Sequence, residues 1–182
     1  MKKCTTFVLI SSIALITACK SPGNKTPEDN QNSDNKTVDN RKLPYTKEKN
    51  TDWEVNEDNA NTLIVLNALK AIENKDYQAL SNTTADSIRS DIDGLKFNGT
   101  KAQMMKANKD FFATLKNIRI IPQDWISVIN KDKSQEWVRV WYTQYWEDLK
   151  GKSDSLKVFN DIKLKEGKIN QWNEYIQHFP KP

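Results

Sequence analysis

The sequence predicts an α+β domain in which N-terminal helices pack on one curved antiparallel sheet. Two observations carry this prediction. Apolar residues recur at helical spacing from Asp58 to Leu115, then alternate with polar ones from Ile118 to Ile176. Helices also come first and strands follow, which is the order of an α+β domain and not of alternating βαβ units.

The first helix is read from Asp58 to about Asn74, with Ala60, Leu63, Ile64, Ala68, Ala71 and Ile72 on one stripe that Leu66 and Leu69 widen. Asp76 can cap a second, short helix carrying Tyr77 and Leu80. Asn82 to Gly99 is mixed in character and reads as irregular, with Gly94 and Gly99 as turns. Thr100-Lys101-Ala102-Gln103 has the form of a capping box, in which hydroxyl and amide satisfy free N–H groups at a helix start. That third helix should run to about Leu115 and bury Met104, Ala107, Phe111 or Phe112, and Leu115.

The period then becomes two. Ile118 to Ile129 is β-rich, and Pro122 marks an edge or a bulge. Asn130 to Gln135 is a polar turn, and Glu136 to Trp146 is a strand alternating Val138, Val140 and Tyr142 with Trp137, Arg139 and Trp141. After a connection containing Gly151, Ser155 to Lys165 forms another alternating strand. Glu166-Gly167 makes a tight turn into the last strand, Ile169 to Ile176.

Upstream of the domain the composition differs. Lys2 and Lys3 precede an apolar run, Phe7 to Ile16, that suits a signal h-region and is too short to span a bilayer as a mature helix. Leu15-Ile16-Thr17-Ala18-Cys19 then resembles the lipobox of bacterial lipoproteins. The resemblance implies a signal peptide over 1–18, lipid on the Cys19 thiol, and acylation of the new amino terminus. Several acyl chains anchor stably where one does not, at about 0.8 kcal/mol per buried CH₂. The competing reading is an ordinary secretory signal followed by a chance Cys. Residues 20–50 are rich in Asn, Asp, Lys, Thr and Pro and cannot bury enough surface to offset their ordering entropy. The expected organisation is therefore signal peptide 1–18, lipidated Cys and disordered tether 19–51, and folded domain 52–182. The expected location is the cell envelope outside the cytoplasm, with the outer membrane favoured. The chain would be held to the membrane through Cys19.

Composition excludes several chemistries. The two Cys are Cys4, in the discarded peptide, and Cys19, blocked as a thioether, so the mature chain has no thiol nucleophile or disulfide. One His, His178, cannot build a metal cluster, so no metal or other cofactor is expected. The formal charge of +4 drops by two when Lys2 and Lys3 are removed, and the basic residues form no single patch, so nucleic acid is not expected. No phosphate-binding glycine loop or serine nucleophile elbow is present.

Three motifs, taken in order, resemble the nuclear transport factor 2-like superfamily, in its SnoaL-like and ketosteroid-isomerase-like branches. They are Asn74-Lys75-Asp76-Tyr77 after the first helix, Gly99-Thr100 before the third, and Lys165-Glu166-Gly167-Lys168-Ile169 before the last strand. The resemblance covers Asp58 to Gln177. It implies a cone-shaped fold whose sheet wraps a pocket, often in dimers, with an acid or a His in the pocket of its enzymes.

Parity selects the pocket residues. If Val140, Val158 and Ile169 face inward, so do Tyr142, Asn160, Asn173 and Tyr175, and also Gln144 and Gln171. Such amide and phenol groups over an apolar floor suit a small apolar or amphipathic ligand, or they merely bond one another. Asp124 alternates with Ile120, Ile126 and Val128 and is the one weak catalytic candidate, unless Pro122 shifts the register and turns it outward. Asp161 shares a face with Lys157 and Lys163, and Glu174 reads as facing away from Ile169, so both are expected outside. Trp137, Trp141 and Tyr145 fall on the outer face, as a homodimer interface or as a shield for the sheet. The leading functional expectation is binding of a small molecule or an envelope partner without catalysis. The alternative is an isomerase, dehydratase or cyclase that uses a pocket carboxylate such as Asp124.

Overall fold

The computed structural model describes residues 44–46 and 52–178, with the side chain of His178 outside that set. The expected signal peptide, Cys19 and most of the expected tether also lie outside the described residues. Pro44–Thr46 fall in a separate unit from the folded domain, Lys47–Pro182.

Helix α1 spans Ala60–Asn74 and ends where Lys75 turns left-handed, at φ 54°. Its buried face is Asn61, Thr62, Val65, Ala68, Leu69 and Ala71, which leaves Leu63 exposed. Helix α2, Tyr77–Thr83, is capped by Asp76, whose side chain accepts from the Ala79 N–H. Helix α3, Lys101–Phe112, starts with the expected capping box, Thr100 and Gln103 each accepting from the other's backbone N–H. It ends three residues earlier than its sequence reading, and Ala107 is exposed. Gly99 must be small there, because a Cβ would lie 2.7 Å from the Phe97 ring.

The strands are β1 Trp53–Val55, β2 Thr84–Ile92, β3 Leu95–Thr100, β4 Leu115–Asn130, β5 Glu136–Asp148, β6 Ser153–Lys165 and β7 Lys168–His178. They form one sheet in the order β1-β4-β5-β6-β7-β2-β3. The pair β2–β7 is parallel and the others are antiparallel, so the sheet is mixed. The irregular reading of residues 82–99 is corrected. Asp93 and Gly94 both have positive φ, as a two-residue type I′ turn requires, and they join Ile92 directly to Leu95. Glu166-Gly167 repeats that device between β6 and β7.

Two irregularities decide which side chains face the helices. In β4 the pairing steps from Pro122↔Tyr142 to Asp124↔Trp141, leaving Gln123 as the extra residue. In β7 it steps from Leu164↔Ile169 to Lys163↔Gln171, leaving Asn170 as the extra residue. Each bulge reverses the faces beyond it. The core lies between the helices and the inner face, around Val65, Leu69, Val138, Val140, Ile162 and Trp172.

Candidate ligand pocket

A cavity of about 400 Å³ opens between the inner face of the sheet and the helices, chiefly α3. Met104, Asn108, Phe111 and Phe112 come from α3, while α1 and α2 add Ile72 and Leu80. From the sheet, β2 supplies Thr84, Ile88 and Ile92, and β5 supplies Tyr142, Gln144 and Trp146. Strand β7 contributes Trp172, Glu174 and Ile176. Phe111 lines the cavity and is also exposed, which places it at the mouth.

Most of the wall is apolar, and the polar groups are few. Tyr142 is buried, and its hydroxyl receives a hydrogen bond from Asn160 Nδ2 at 3.0 Å and faces Glu174 Oε2 at 3.4 Å. Burial pushes the Glu174 carboxyl above its ordinary range, and the nearby charge of Asp93 adds to the rise; hydrogen bonds from Trp172, Tyr142 and Asn160 oppose it. Burial likewise raises the Tyr142 hydroxyl well above its usual value, followed by the Glu174 charge. The pocket therefore holds a neutral phenol and a carboxyl that resists ionisation. Such a carboxyl can donate or accept a proton at a bound atom.

The structure brings together only part of the set expected from parity. Tyr142 and Gln144 line the cavity; Asn160 lies fully buried behind Tyr142. Asn173, Tyr175 and Gln171 turn to the outer face, because the Asn170 bulge separates them from Ile169. The same bulge brings Trp172 and Glu174 inside, reversing the outward reading of Glu174. Asp124 is exposed on the outer face, opposite Trp141, and accepts from the Trp125 N–H, because the extra residue Gln123 reverses the strand there. It cannot serve as the pocket acid.

Glu174, Trp172, Trp146 and Asn108 are among the pocket residues that sequence reasoning missed, with Thr84, Ile88 and Ile92 of the unexpected strand β2. A signal for the first two was available. Ile169 and Ile176 are both apolar but of opposite parity, so one residue between them must be extra.

The outer face carries its own aromatic row. Trp141, Phe159 and Tyr175 sit at paired positions on three neighbouring strands. Their ring centroids are 5.1 and 5.7 Å apart. Arg139 Nε donates to Asp161 Oδ1 at 3.2 Å beside them. Burial raises the Asp161 carboxyl and Arg139 opposes the rise. Trp137 and Tyr145 lie on the same face.

No family model matches the sequence, and no curated protein matches it. Solved structures match its fold. An LEH-like epoxide hydrolase of Mycobacterium tuberculosis superposes with a TM-score of 0.55 at 15% identity, covering 67% of this chain and 86% of the hydrolase. A nuclear transport factor 2-like protein of unknown function from Burkholderia pseudomallei gives 0.54 at 16% identity, with 65% and 91% covered. Another such protein, from Exiguobacterium, gives 0.52 at 13%, with 63% and 98% covered. At these identities the likeness concerns the backbone arrangement alone. The domain has the nuclear transport factor 2-like α+β fold, three helices on a curved and mostly antiparallel seven-stranded sheet.

Proposed function

We propose that this chain is a lipid-anchored binding module whose cavity takes a small, mostly apolar molecule that carries no negative charge. The observation behind this reading is the cavity of about 400 Å³ with apolar walls and a single carboxylate among its lining residues. That volume falls within the range of small-molecule sites. Among the described residues no Lys, Arg or His lines it, so an anionic group would meet Glu174 without a counter-charge from them. Trp146 and Trp172 in the wall provide a readout. The neutral dye Nile red should quench tryptophan emission of wild type saturably, and Tyr142→Ala should change its affinity. Quenching that is linear in dye, or identical in the variant, contradicts the reading.

A second reading is supported by Glu174. A buried carboxyl held above its ordinary range, beside a phenol, has the make-up of an acid–base pair for isomerisation, dehydration or cyclisation. Incubation with cyclic ketones in D₂O, followed by NMR, tests it. Deuterium uptake at the carbon next to the carbonyl that Glu174→Gln abolishes supports catalysis, and uptake no faster than buffer removes it.

The anchor belongs to the proposal through the Leu15–Cys19 motif. Its expected setting is the cell envelope outside the cytoplasm, at the outer membrane. Cys19→Ser should block fatty-acid labelling in cells and leave the precursor uncleaved; equal labelling of both proteins would remove the anchor. The outer-face row is proposed as a homodimer interface, supported by exposed Trp141, Tyr145 and Tyr175.

A further inference from the structure

The aromatic content of the cavity narrows the ligand further. Five of its lining residues are aromatic: Phe111, Phe112, Tyr142, Trp146 and Trp172. The carboxyl of Glu174 shares the lining with them, and the Tyr142 hydroxyl donates to it at 3.4 Å. Asp93, in the turn after β2, adds a second negative charge close enough to act on Glu174. Its backbone N–H donates to the Glu174 carbonyl at 3.0 Å.

Aromatic faces attract cations through the ring quadrupole, and the attraction strengthens when water is excluded. A carboxylate at the same site supplies the counter-charge that a buried cation needs. A primary ammonium has three N–H groups that must each reach an acceptor, whereas most of the wall is apolar. A quaternary or tertiary alkylammonium has methyl groups where those N–H groups would be. It presents carbon to the apolar wall and loses less hydration on entry.

Resting on the pocket-binding reading above, we propose that the cavity selects a hydrophobic tertiary or quaternary ammonium cation, held between the aromatic walls and the Glu174 carboxylate. The choice is coupled to pH. Among the described residues, the titratable groups acting on Glu174 are Tyr142 and Asp93, with Asn160 and Trp172 as neutral donors. Without a cation, burial favours the protonated acid; a bound cation favours the carboxylate. Binding should therefore release a proton, and affinity should rise with pH until Glu174 is ionised in the free protein.

The test compares benzyltrimethylammonium with neopentylbenzene, its neutral carbon isostere, by calorimetric titration of the intact domain. The cation should bind about tenfold tighter than the isostere at pH 8. That advantage should shrink as pH falls towards 4.5, the ordinary value of a glutamate carboxyl. Glu174→Gln should remove the advantage. The pH series on wild type tests the proposal even if the variant folds poorly. Equal affinities for the two probes at every pH would overturn the cation assignment while leaving a binding pocket. Binding of neither probe would overturn the pocket reading with it.

Discussion

At the scale of single residues, Glu174 stands in the pocket wall beside the Tyr142 hydroxyl. Its folded-state pKa is raised, chiefly by burial, so in the window above 4.5 the folded protein holds a proton that the unfolded chain has released. Stability must then fall as pH rises through that window. Glu174→Gln keeps the shape and removes the titration. The variant's thermal midpoint should gain on wild type as pH climbs above 4.5, the ordinary value of the carboxyl, until the raised carboxyl of the folded protein has also ionised. A constant difference between the two melting curves across that range would show that Glu174 is solvated. Asp161 is also raised, but it is present in both proteins, so the difference isolates Glu174. Asp124 is a contrasting case: exposed and turned outward, its change to Asn should leave ligand affinity unchanged.

At the scale of elements, bulges separate what was legible in the sequence from what was not. The helices were legible because each carries a strong local signal, such as the Thr100–Gln103 box. Strands β5 and β6 were legible because they pair without interruption over their length, so alternation from Val140 reaches Tyr142, and from Val158 reaches Asn160, unbroken. Strand β7 defeated the same argument at Asn170, and β4 at Gln123. A bulge depends on how two strands meet, and alternation within one strand records it only as a break in parity. Strand β2 was missed for a different reason. Its sequence Thr-Ala-Asp-Ser-Ile-Arg-Ser-Asp-Ile is polar, and its place depends on the parallel partner β7. Asp93-Gly94 was nonetheless a usable hairpin signal. The bulge in β7 can be tested by mutation. Trp172→Ala should cost about 3–5 kcal/mol in denaturant unfolding, as a large buried ring leaves a cavity. Asn173→Ala should cost no more than about 0.5 kcal/mol. The opposite ranking would mean that the strand runs without the extra residue.

At the scale of the whole molecule, the two faces of the sheet are assigned separate tasks, the inner face to a ligand and the outer row to a second copy. Trp141→Ala should weaken self-association by more than about 2 kcal/mol, measured by sedimentation equilibrium, because exposed Trp and Tyr often dominate interfaces. It should leave pocket affinity unchanged. An unaltered oligomeric state would leave the row as a cover for the sheet. Cavity filling tests the central claim most directly. Met104 stands on α3 in the cavity wall, partly buried, and Met104→Trp would place an indole in the ligand's space. The measurement is Nile red affinity of wild type, Met104→Trp and Trp141→Ala, with thermal midpoints confirming that all three fold. The account predicts loss of binding in Met104→Trp alone. Retained binding in Met104→Trp, with loss in Trp141→Ala, would put the ligand on the outer face and contradict it.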